Sequence, residues 1–129
     1  EVGHNRSLPY PDNYFDLLLS IGTIHYESSE DLMMDALSEF NRVLKPGGVA
    51  CIMTTGQEHD LYKRAEVLGA HRYKITNFDF RDGNIFYFFD TEKYFEYFLK
   101  KYFKHVEVGR VTEKLMNFTV DQYISISIK

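Results

Sequence analysis

The sequence has a single cysteine, Cys51, and no tryptophan. One cysteine excludes an intramolecular disulfide and cannot furnish a zinc cluster, so a reducing cytoplasmic setting is the simplest compartment. The five histidines, His4, His25, His59, His71 and His105, are far apart and lack metal-ligand spacing. Positive charge is also short. Fifteen Lys and Arg against nineteen Asp and Glu leave a net charge of −4, which argues against a nucleic-acid-coating surface. No apolar run approaches the ~20 residues of a membrane span, and no signal-peptide pattern is visible. A P-loop, a Gly-x-Ser-x-Gly elbow and a kinase signature are missing, as is any Gly-x-Gly.

What remains is a globular chain. Its 129 residues fit one domain, residues 1–129, and the 44% hydrophobic and 26% charged shares argue against disorder. Ten Tyr and eleven Phe provide large apolar areas for a core or a pocket wall.

Residues 1–13 carry Pro9, Pro11 and Asp12-Asn13 and read as a strand end followed by a turn-rich loop. Tyr14 to Ser20 is a nearly continuous apolar run, the pattern of a parallel strand buried on both faces. Ser28 or Ser29 can cap a helix with Glu30 and Asp31 in its first turn. Its apolar face is Leu32, Met33, Ala36, Leu37, Phe40, Val43 and Leu44, and Lys45-Pro46-Gly47-Gly48 ends it. Val49 to Thr55 then reads as a second buried strand, with Cys51 in the core, completing a βαβ unit. Gln57 to Leu68 is a helix candidate ending at Gly69. Residues 71–89 form an aromatic excursion. Thr91 or Asp90 caps a helix with Tyr94, Phe95, Phe98, Leu99, Tyr102 and Phe103 on one side. Val106 to Val111 and Gln122 to Ile128 close the chain as strands joined by a loop of about ten residues, hence antiparallel.

Three pieces in this order resemble the second half of class I S-adenosylmethionine-dependent methyltransferases. They are LPYPDNYFDLLLS (Leu8 to Ser20), RVLKPGGVACIM (Arg42 to Met53) and the closing strand pair. The resemblance implies a partial Rossmann-like α/β fold and S-adenosylmethionine as cofactor. It also implies methyl transfer, here to a small-molecule acceptor, while the charge and the short apolar runs give the expectation of no nucleic-acid and no membrane partner. The family's Gly-x-Gly loop has no counterpart here, so the expectation is that the chain is the carboxyl part of a longer protein and supplies the acceptor half of the site.

Carried over by position, the resemblance assigns His4 and Asn5 to the adenine and Ser20, Ile21 and Gly22 to the methionine end of the cofactor. His25 and Tyr26 are then the residues placed to contact or deprotonate the acceptor, with Glu27 in reserve; a near-neutral His25 would suit a general base. The excursion 71–89 would cover the acceptor with Tyr73, Phe78, Phe80 and Tyr87, or else pack as core. Arg72, Lys74, Asn77 and Arg81 are its polar neighbours. Without a strand beside it, the Tyr14–Ser20 edge would invite homo-oligomerisation. The alternative is a non-catalytic methyltransferase-like binding module; an aminopropyl transferase of related fold is disfavoured by too few acidic residues after the first strand.

Overall fold

The computed structural model describes residues 2–76 and 78–129. Among the described residues, seven strands and two α-helices follow in the order β1 (Phe15–Ile21), α1 (Glu30–Val43), β2 (Leu44–Thr55), β3 (Glu66–Gly69), β4 (Arg72–Lys74), β5 (Ile85–Tyr87), α2 (Glu92–Leu99), β6 (His105–Leu115) and β7 (Phe118–Ile128). The main sheet has the order β1-β2-β7-β6, and β3-β4-β5 form a small second sheet.

β1 and β2 run parallel, with Leu17 opposite Val49 and Ile21 opposite Met53. α1 is the crossover between them. Its N-cap is Ser29, whose hydroxyl accepts the Leu32 N–H, and its buried face is Met33, Ala36, Leu37, Phe40 and Val43. β7 then pairs antiparallel with both β2 and β6. α2 starts at Thr91, whose side chain accepts from Tyr94 N–H, and buries Phe95, Phe98 and Leu99. The helices share one core with Ala50, Ile52, Val106 and Tyr123 of the sheet.

Several sequence expectations are corrected. β2 begins at Leu44, because Phe15 pairs with Leu44 before residues 45–48 bulge out and pairing resumes at Val49. The helix expected from Gln57 to Leu68 is absent; a 3₁₀ turn at Asp60–Arg64 is followed by β3. Tertiary partners decide this: Leu61 packs with Ile75 and Phe86 in a small second core, and Val67 pairs with Tyr73. The ten-residue connection of the last two strands shrinks to two residues, since the ladder extends to Leu115↔Phe118 and Met116 turns with φ 49°.

The largest correction concerns β1. It lies at the edge of the sheet as expected, but among the described residues one of its faces is open rather than buried: Leu17, Leu19 and Ile21 are 56%, 63% and 49% exposed. The pairing registers extend that face across the sheet as the rows Leu17–Val49–Ile128, Leu19–Cys51–Ile126 and Ile21–Met53–Ile124. Cys51 therefore lies half-buried on this face rather than in the core. The residues of β7 that turn toward the helices are Tyr123, Ser125 and Ser127, all buried. No helix among the described residues is long and apolar enough to cross a membrane.

Candidate functional site

In an open α/β sheet the loops beyond the carboxyl ends of parallel strands form the ligand crevice. Here those ends are Ile21 of β1 and Thr55 of β2. Gly22 continues the ladder by donating its N–H to Met53 O at 3.1 Å, then reverses the chain at φ +65°. A Cβ added there would meet nothing within 4 Å, so the backbone itself is accessible, and glycine is favoured by the left-handed conformation. The Ser20 and Thr23 hydroxyls bond each other at 2.9 Å and fix the start of a 3₁₀ turn at Ile24–Tyr26.

That turn sorts three side chains. Ile24 enters the core. His25 is buried, its ring centroid 5.0 Å from Tyr26 and 4.6 Å from Phe86. Tyr26 stays partly exposed with its ring 4.5 Å from Phe86. Burial, followed by the positive fields of His59 and Arg81, lowers the His25 pKa to about 3. The expected near-neutral imidazole is thus corrected: at pH 7 the ring is neutral and a feeble base. Its Nδ1 is buried and unpartnered among the described residues.

The buried Glu27 carboxylate accepts from Asn5 Nδ2 at 3.2 Å and from Arg6 Nε at 2.9 Å. These bonds tie the loop after β1 to a turn in which His4 and Ser7 exchange backbone hydrogen bonds. Sequence reasoning held Glu27 in reserve as a base; the structure uses it as a staple. Asn5 and Ser20 line one cleft of about 330 Å³, whose remaining walls are Leu8, Tyr10, Phe15, Leu17, Leu18, Leu19, Thr23 and Phe40. His4, Ile21 and Gly22 lie outside its lining. The walls are mostly apolar with three polar side chains, which suits a flat ring system better than a ribose, since no described lining residue is acidic.

Beyond β2, the Thr55 and Tyr62 hydroxyls are hydrogen-bonded to each other, and His59 Nδ1 accepts the Leu61 N–H at 3.2 Å. Thr54 Oγ1 is a second buried atom without a partner among the described residues. The loop is clamped to β7. Asp121, fully buried, accepts from Glu58 N–H at 2.9 Å, from Thr112 Oγ1 at 2.7 Å and from Arg110. Sequence reasoning missed Asp121, His59 and Phe86. The signal for Asp121 was its phase: it shares the alternation of Tyr123, Ser125 and Ser127. Of the excursion's rings, Tyr87 is core and Phe80 is 77% exposed. Asn77 lies outside the described residues.

Residues 1–52 match the profile of the methyltransferase domain family. The chain is 42% identical over 54 residues to the probable methyltransferase ltbC of Aspergillus luteorubrus, which covers 42% of this chain and 19% of that protein. A SAM-dependent methyltransferase structure from Methanosarcina mazei superposes with a TM-score of 0.71 at 19% identity, covering 98% of this chain and 65% of the other. The similarity to the methyltransferase domain family thus lies in residues 1–52, while the fold shared with the solved methyltransferase structure extends over 98% of the chain. The match extends to the probable tRNA methyltransferase 9B of Mus musculus, 41% identical over 57 residues, or 44% of this chain and 13% of that protein. The chain spans a fifth or less of the length of these two curated relatives.

Proposed function

We propose that this chain contributes the acceptor side of a site for S-adenosylmethionine-dependent methyl transfer to a small molecule. The observation that carries the reading is the pair of parallel strand ends, Ile21 and Thr55, with the loop Gly22–Tyr26 bent over them by a positive-φ glycine. S-adenosylmethionine supplies a methyl activated by a positive sulfur, so the protein's task is mainly alignment and exclusion of water. Asn5, Ser20 and the apolar walls of the 330 Å³ cleft support a place for part of the cofactor. Gly22 and Ile21 let the backbone approach its methionine end. His25 and Tyr26 face the acceptor, and the segment 71–89 lies over them through Phe86.

The neutral His25 ring acts by holding the acceptor through a hydrogen bond, with Tyr26 beside it, rather than by removing a proton. The negative net charge favours a small acceptor over a nucleic acid. The test is calorimetry with S-adenosylhomocysteine, then an acceptor screen with labelled methyl donor. His25→Gln is expected to cut turnover at least tenfold while leaving S-adenosylhomocysteine affinity within twofold. Unchanged turnover removes His25 from the reaction. Absence of S-adenosylhomocysteine binding by the protein carrying this chain would favour the non-catalytic module instead.

A further inference from the structure

A second cleft, of about 200 Å³, lies where the Asp60–Arg64 turn meets Phe78 and the tip of the β6–β7 hairpin. Its lining is Asp60, Lys63, Arg64, Phe78, Asn117 and Phe118. The half-buried rings of Phe78 and Phe118 stand 5.6 Å apart, tilted by 37°, and make an apolar floor. The Arg81 guanidinium lies 5.2 Å from the Phe78 ring and 4.4 Å from that of Phe80.

The charges around this floor differ in how they are used. Asp60 is engaged, with Oδ2 accepting Thr119 N–H at 2.7 Å and Oδ1 2.5 Å from Lys63 Nζ. Arg81 is paired with Asp79 at 2.9 Å. Arg64 is exposed, and its guanidinium has no ion-pair partner among the described residues. A guanidinium at the rim of an aromatic floor suits a ligand with a flat ring and an anionic arm, since the ring covers apolar surface while the fork takes up oxygen atoms. The volume is below the ~300–1,000 Å³ of a pocket that encloses a whole ligand, so the cleft holds part of one.

We propose that this cleft is a binding subsite for a planar ring bearing a phosphate, the chemistry of a mononucleotide. The ring rests on Phe78 and Phe118, and the phosphate meets Arg64 and Lys63. The subsite adjoins the crevice at the strand ends, because Phe118 also holds the His59 ring edge-on at 5.7 Å. Its role as an anchor for the acceptor rests on the methyl-transfer reading; its existence as a binding site does not.

The experiment is an amide-resolved NMR titration of the protein with adenosine 5′-monophosphate, with adenosine and with inorganic phosphate, beside a parallel titration with S-adenosylhomocysteine. The monophosphate is expected to shift the amides of Lys63, Arg64, Asn117 and Phe118 and to bind at least tenfold more tightly than either half. Arg64→Gln should weaken it at least tenfold, and Phe78→Leu should weaken it without altering the phosphate titration. The S-adenosylhomocysteine isotherm should be unchanged in both variants. The proposal is overturned if Arg64→Gln leaves monophosphate affinity intact, if phosphate alone binds as well, or if the shifts map to Asn5 and Ser20 in the other cleft. Failure of S-adenosylhomocysteine to bind while the monophosphate still does would sink the methyl-transfer reading and leave the subsite standing.

Discussion

Arg110 and Asp121 face each other across the β6–β7 pair, with Nε 2.8 Å and Nη2 2.9 Å from the two carboxylate oxygens. Burial opposes the charge on Asp121, but Arg110, the Glu58 N–H and Thr112 outweigh it and hold the pKa below the usual carboxylate range. Removing the carboxylate leaves the Glu58 amide and the Thr112 hydroxyl without their acceptor and Arg110 with Glu58 as its remaining carboxylate. Asp121→Ala is expected to destabilise the fold by about 3 kcal/mol, near the low end for broken buried pairs because Arg110 still reaches solvent. Asp121→Asn keeps an acceptor for Glu58 and should cost less. Urea unfolding of both variants checks this, and equal losses would refute the assigned role of the charge.

Gly56 is coupled to the same carboxylate. A Cβ at this position would collide with the Asp121 side chain and lie 3.1 Å from Tyr123 Cε1, while the Gly56 N–H donates to Asp121 O at 2.8 Å. Gly56→Ala should therefore destabilise by about 1–3 kcal/mol, as overpacking does. In an Asp121→Ser background the penalty should shrink, giving a non-additive double-mutant cycle. Strict additivity would show that the two sites act separately.

The parts of the fold that were legible in the sequence are those whose local chemistry agrees with their tertiary setting. Ser29 with Glu30 and Asp31, and the face Met33–Ala36–Leu37–Phe40–Val43, announce α1; Thr91 announces α2. The parallel β1–β2 pair followed from the βαβ order. The segment 57–69 was misread because its fate depends on distant residues: Ile75 and Phe86 for Leu61, Tyr73 for Val67, and Asp121 for the Glu58 amide. Likewise Tyr14 to Ser20 is apolar enough for two covered faces, while the described chain places both helices on one. At the candidate site, residue order singled out His25 and Tyr26 as candidates, but the environment of His25 depends on Phe86, which sequence spacing does not bring near it.

His25 makes stability depend on pH. Its folded pKa of about 3 lies below the ordinary 6.5, and burial also lowers that of His59. The unfolded chain therefore takes up protons that the folded protein refuses. For His25 stability is full above about pH 6.5 and falls as the pH drops toward 3, by about 1.4 kcal/mol per pH unit, and His59 acts in the same direction. Denaturant unfolding between pH 7.5 and 4.5 should show this slope, and His25→Gln should reduce it by about one proton's worth. An identical slope in the variant would mean that the ring is solvated in the folded state.

The edge of β1 governs how the 129-residue chain behaves by itself at high concentration. One side of this strand pairs with β2, and among the described residues no strand takes up the backbone groups of its other side. Leu17, Leu19 and Ile21 add an apolar stripe continuous with Cys51, Met53, Ile124 and Ile126. An exposed, apolar edge of this kind favours strand-to-strand pairing between copies, and the stripe adds area to the contact. Sedimentation velocity should accordingly show concentration-dependent association. Leu19→Lys places a charge in the middle of the stripe, where it is solvated in the single chain and desolvated in a pair. It should shift the equilibrium to monomer by at least tenfold in concentration while changing unfolding stability by less than about 0.5 kcal/mol, as surface substitutions do. A 129-residue chain of unaltered sequence that stays monomeric throughout the concentration range would remove β1 as an association edge.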